Sequence, residues 1–205
     1  MTPSEPAIDL TAFPFMSEKW KAVMKWPSSH LMYPPISFDL PDPDKDSEVC
    51  LWVRLPLPQS PYLPPTPVRV EDFHWSIRWG IGNQGLLPLS YERIVEVERA
   101  SPVSPHLTNW GPLTKVVRPS AEQEMAKIPI ATMTLKQRQL LELLAITQPV
   151  KEPDGDWNCQ NWTTSVLFRA ASVEDPIVQA NNGPLLTPEQ VNNVLFQARN
   201  IKHEV

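Results

Sequence analysis

Apolar and polar positions change their period about two-thirds of the way along the chain. In EVCLWVRLPL and RVEDFHWSIRWG, β-branched and aromatic residues run between acidic and proline punctuation, a pattern that predicts strands. In the second segment His74, Ser76 and Arg78 alternate with Trp75, Ile77 and Trp79. A strand there, ending at Gly80, has one polar and one apolar face. The glycine-dense GIGNQG predicts a turn, after which YERIVEVERA returns as a partner strand. That strand carries Val95 and Val97 on one face and Glu92, Ile94 and Glu96 on the other. LTKVVR and KIPIATM are further strand candidates. Beyond them the period becomes helical. Thr134 and Gln137 form a capping-box pattern opening LKQRQLLELLAI, which stops before Pro149. In WNCQNWTTSVLFRAA, with Asp156 or Asn158 as the cap, the positions Cys159, Trp162, Thr163, Val166, Leu167 and Ala170 share one helical face. Thr187, Pro188 and Gln190 open a last helix whose stripe is Val191, Val194, Leu195 and Ala198. A short helix is also predicted near the start, from Ser17 to Trp26, with Ser17 as its cap. Strands first and helices last predict an α+β fold, an antiparallel sheet packed by helices.

The length, 205 residues, fits a single domain, 1–205. Within it, 1–47 is an N-terminal helix and proline-rich lead, 48–133 the sheet region, and 134–205 the helical region with Cys159. Proline is abundant, 25 residues against six glycines, and concentrates in the first half, where it predicts rigid extended connections. A hydrophobic share of 41% suits a core that needs no disulfide or metal. A net charge of −5 with scattered Lys and Arg opposes nucleic-acid binding. The chain has no apolar run near the roughly 18 residues a membrane span needs. The start MTPSEPAIDL lacks the build of a secretion signal, so two free thiols and a cytoplasmic location are expected. A Cys50–Cys159 bridge is the alternative.

Cys159 falls in the first turn of its helix, where unpaired N–H groups and the positive dipole end favour a thiolate. It lies on the apolar face, which suits both an activated buried sulfur and an inert core cysteine. A base must reach that sulfur. Of His30, His74, His106 and His203, the strand residue His74, with polar neighbours on its face, is the best candidate; a structural histidine is the bland alternative. The residues provide no C-x-x-C or H-x-x-x-H set, so no metal and no cofactor is expected. DPDKDSE has the wrong spacing for calcium and reads as a solvated acidic loop. GIGNQG lacks the helix that a dinucleotide fingerprint requires.

FHWSIRWG resembles the strand motif of lecithin:retinol acyltransferase-like proteins, roughly H-W-A-I-Y-V-G, and WNCQNWTTSVL resembles their second motif, roughly N-C-E-H-F-V. His74, Trp75, Ile77 and Gly80 match in the first, Asn158 and Cys159 in the second. The resemblance implies a circularly permuted, papain-like (NlpC-type) fold in which the histidine strand precedes the cysteine helix. It also implies thiolate attack on an ester or amide, an acyl-enzyme, and transfer to water or an amine. Cys159 would be the nucleophile and His74 the base. Oxyanion and substrate contacts would come from the backbone N–H of Cys159 and from Asn158, Gln160 and Trp75. The family's second histidine has no counterpart in LLPLSYERIVEVERA. If Trp79 faces Tyr91, His74 lies opposite Glu96, which could orient the imidazole; Glu92 is the alternative, and both glutamates also fit solvent-facing charges. The expected partner is a small-molecule, peptide or acyl substrate. The competing reading is a non-catalytic binding domain on the same or an unrelated α+β fold.

Overall fold

Alternate residues of the strands face opposite sides of the sheet, and the helices cover the side that carries the main core. The computed structural model describes residues 40–54, 72–83, 90–99, 106–117, 125–151 and 156–201. These fall in a compact unit, Pro35–Val205. The helix expected over Ser17–Trp26, the proline run at 55–71, and His30 and His203 lie outside the described residues. Strands β1 (Ser47–Arg54), β2 (His74–Asn83), β3 (Ser90–Val95), β6 (Leu113–Val117) and β7 (Met125–Met133) form an antiparallel sheet in the order β6-β3-β2-β1-β7. Two short strands, β4 (Val97–Arg99) and β5 (Leu107–Asn109), pair with each other as a separate ribbon. The helices are α1 (Leu135–Ile146), α2 (Cys159–Ala170), the single turn α3 (Pro176–Gln179) and α4 (Pro188–Arg199).

One face of the sheet presents Val49, Leu51, Val53, Trp75, Ile77, Trp79 and Val95, all buried in the main core. Onto it α2 packs against β2, and α4 against β7 and β1. The buried residues of α2 and of α4 are the stripes expected from helical spacing. Each such apolar side chain contributes roughly 1.5–3 kcal/mol by leaving water. The capping boxes of α1, α2 and α4 are all formed. Asn158, rather than Asp156, is the cap of α2. Among the described residues, no helix is long and apolar enough to cross a membrane.

Several local expectations change. Strand β2 does not stop at Gly80 but runs to Asn83, past an irregularity between Gly80 and Gly82. Gly82 takes a positive φ of 106°, a conformation glycine adopts without a Cβ clash. The register also differs: Trp79 pairs with Arg93, and Tyr91 with Gly82, not Trp79 with Tyr91. YERIVEVERA is not one strand, because Glu96 interrupts it between β3 and β4. The acidic loop is not simply solvated. Asp42 receives both forks of Arg138 at 2.8 and 3.0 Å and the Trp79 indole N–H at 2.8 Å. Arg138, fully buried in α1, also donates to the carbonyls of Pro43, Lys45 and Met133. A buried guanidinium needs that complete set of partners. Cys50 and Cys159 are both free and buried, so the alternative bridge does not form.

Candidate functional site

The site lies where β3 leaves β2. Pairing between these strands ends at Ile77–Val95, and β4 then turns to β5. Backbone groups at the start of β2 therefore lack a strand neighbour on that side, and the first turn of α2 takes its place. The Gln160 side-chain amide donates to the Phe73 carbonyl at 2.9 Å. The Cys159 sulfur stands 3.8 Å from the same oxygen, and the Trp75 backbone N–H points to the sulfur. Asn158 holds this turn in place: its side-chain oxygen accepts from the N–H groups of Gln160 and Asn161. Asn161 returns a bond to the Asn158 N–H at 2.9 Å.

On the polar face, His74 Nε2 donates to Glu96 Oε2 at 2.8 Å. An ionised carboxylate can only accept, so the proton of that bond belongs to Nε2, and Nδ1 is the nitrogen left for the sulfur. The other oxygen of Glu96, Oε1, accepts from the Lys115 ammonium at 2.8 Å. The same ammonium lies 3.8 Å from Glu98 Oε1. Burial disfavours ionisation of Glu96, yet the His74 imidazole, Lys115 and Arg78 together hold it well below the usual carboxylate range. Burial also raises the Glu98 carboxyl, and the neighbouring Glu96 charge raises it further.

Sulfur and imidazole perturb one another. Burial alone would lower the pKa of His74, but interactions with Cys159 and Glu96 outweigh it and push the imidazole up to about 9. Burial opposes ionisation of Cys159, but His74 and the N–H groups of Trp75 and of Cys159 itself outweigh it and hold the thiol below its ordinary value. The other cysteine behaves oppositely: burial pushes Cys50 up to about 12. The two thiols are therefore shifted in opposite directions.

Each expected residue has a definite place. His74 and Glu96 come together through the 2.8 Å bond, and Cys159 lies near enough for sulfur and imidazole to shift one another's pKa. Glu96 is 2% exposed, which corrects its reading as a solvent-facing charge. It reaches His74 from just beyond the last paired residues, Ile77 and Val95, and not as a cross-strand partner. Glu92 does not join them; it lies 3.8 Å from Arg78. Trp75 buries its indole in the core and offers the site its backbone N–H. Asn158 is occupied as a cap, and Gln160 ties α2 to Phe73. Lys115 was missed. Its signal is slight, a single Lys among apolar strand residues, and its place follows from the pairing of Glu92 with Lys115. Potential cation-binding atoms of His74, Glu96 and Glu98 lie within 4.8 Å of one another, and the Lys115 ammonium stands beside the same two carboxyl groups, 2.8 Å from Glu96 and 3.8 Å from Glu98. The chain matches no protein-family model, no curated protein and no solved structure.

Proposed function

We propose that the chain is a cysteine-dependent hydrolase or acyltransferase, built on a permuted papain-like arrangement, acting on an ester or amide. The arrangement that supports this reading is a buried thiol on the first turn of a helix, close to the start of the strand whose His74 is hydrogen-bonded at 2.8 Å to a buried carboxylate, and the directions of the Cys159 and His74 pKa shifts agree with it. A packing cysteine has no need of a carboxylate-backed histidine, and burial alone would shift both groups the other way. In the proposed reaction the Cys159 thiolate attacks the carbonyl carbon and the C=O electrons move to oxygen. The backbone N–H of Cys159, at the helix N-terminus, stabilises that oxyanion. The tetrahedral adduct collapses to a thioester as the alcohol or amine leaves, taking the proton from His74 Nδ1. His74 then removes a proton from water or an acceptor amine, which attacks the thioester and frees the sulfur. Glu96 holds the imidazole by Nε2 throughout.

The sulfur's low exposure, 9% for Cys159, favours the rival reading, a binding domain retaining the fold without the chemistry. Alkylation decides between them. Native protein is treated with iodoacetamide across pH, and labelled sites are read by mass spectrometry. The enzyme reading expects Cys159 to label well below pH 8 and Cys50 to stay unlabelled. In His74→Ala, labelling of Cys159 near neutral pH falls by roughly tenfold or more, as each unit of restored thiol pKa removes a factor of ten in thiolate. Slow labelling that tracks an ordinary thiol, unaffected by His74→Ala, would sink the enzyme reading.

A further inference from the structure

We propose that Lys115 is a positioning residue of this site. By holding Glu96 Oε1 and partly neutralising Glu98, it keeps Glu96 Oε2 on His74 and limits how tightly the two carboxylates bind the imidazolium proton. This rests on the cysteine-hydrolase reading above, and it assigns to β6 a part in the chemistry that neither sequence motif contains.

Charge and reach carry the argument. His74 meets charged or titratable groups from every side: Cys159 from α2, Glu96 from the β3–β4 junction, Glu98 from β4, and Arg54, its pairing partner, from β1. Arg78, on β2, acts on Glu96. A general acid must surrender its proton during the reaction. Two carboxylates beside one buried imidazolium oppose that release. The Lys115 ammonium, 2.8 Å from one carboxylate and 3.8 Å from the other, cancels much of their field. It also selects geometry: a carboxylate has two equivalent oxygens, and with Oε1 held by the ammonium only Oε2 is presented to Nε2. Lys115 stands on β6, at the end of the sheet order, and its side chain is 28% exposed. It can therefore be replaced without opening the core.

The experiment follows the His74 ring by NMR, titrating the histidine Cε1–H resonances from about pH 5 to about pH 11. Wild type is compared with Lys115→Met, Lys115→Arg and Cys159→Ser. Removing the ammonium raises the His74 midpoint by about one pH unit, the scale expected for a partly screened charge one residue away, and Lys115→Arg returns it toward the wild-type position. A lysine whose field does not reach the imidazole would alter melting but not this midpoint. An unchanged midpoint in Lys115→Met overturns the proposed role while leaving the cysteine reading intact. Separately, Cys159→Ser lowers the midpoint if sulfur and imidazole are paired; no movement there removes the hydrolase reading without prejudging Lys115. Should Lys115→Met not fold, Lys115→Gln, of similar reach and no charge, is titrated instead. Collapse of both variants also overturns the proposal, because the ammonium would then be a structural clamp.

Discussion

Glu96 is held between two cations, and its removal exposes both. In Glu96→Gln the Lys115 ammonium loses its 2.8 Å partner and the His74 imidazole its carboxylate. Breaking such a buried network from one side costs about 3 kcal/mol, which urea unfolding at neutral pH measures. The same variant lowers the His74 midpoint from about 9 toward the ordinary histidine range. The two shifts in the pair have opposite linkage signs. A raised imidazole contributes stability below its unfolded value that is lost as pH rises through about 9. A lowered thiol contributes stability above its unfolded value that is lost as pH falls through its folded value. Where the two titration windows overlap, their slopes oppose one another, so the pair is read by NMR or alkylation rather than by melting.

Secondary-structure elements bring these groups together through their ends. The first turn of α2 depends on Asn158, which accepts two backbone N–H groups. Asn158→Ala costs about 1 kcal/mol of stability. It also slows Cys159 alkylation at neutral pH severalfold, because the N–H groups facing the sulfur lose their fixed direction; labelling unchanged within error would contradict that. At the other end of the sheet, Arg138 binds the 42–45 loop to the end of β7 and to α1. Arg138→Met leaves Asp42, 7% exposed, without its cation and costs about 3 kcal/mol. Thermal unfolding reads this loss, and the pH profile of Cys159 labelling stays unchanged. The helices that build the site were legible in the sequence, since caps and apolar stripes are local signals. Arg138 was not legible, because a charged residue on a leucine-rich helix gives no local sign that a distant loop will close over it.

For the whole molecule, the pH dependence of stability near neutrality points to Glu142. This α1 carboxyl lies 3.2 Å from Arg93 Nε, yet burial outweighs that cation and pushes it up to about 7. The folded chain therefore keeps a proton that the unfolded chain releases near 4.5. Stability then falls as pH rises from about 4.5 to about 7, and Glu142→Gln flattens that slope. Denaturation midpoints across this window check it; a slope unaltered in the variant would mean another group is responsible.

Sequence alone determined what depends on near neighbours. Helix starts, buried stripes, the two-faced β2 strand and the α+β order all follow from spacings of a few residues, and they placed Cys159 on the first turn and His74 on a strand. Register, and with it the company of His74, was decided only in three dimensions. The β2–β3 pairing lies two residues from the Trp79–Tyr91 alignment, with a one-residue irregularity at Gly80–Gly82, and the break at Glu96 leaves its carboxylate on the imidazole. Lys115 arrives from a strand whose place in the sheet no local pattern specifies. Pairing over such separations is chosen by the summed burial of whole faces, so the charges that share a site are known only once those faces have met.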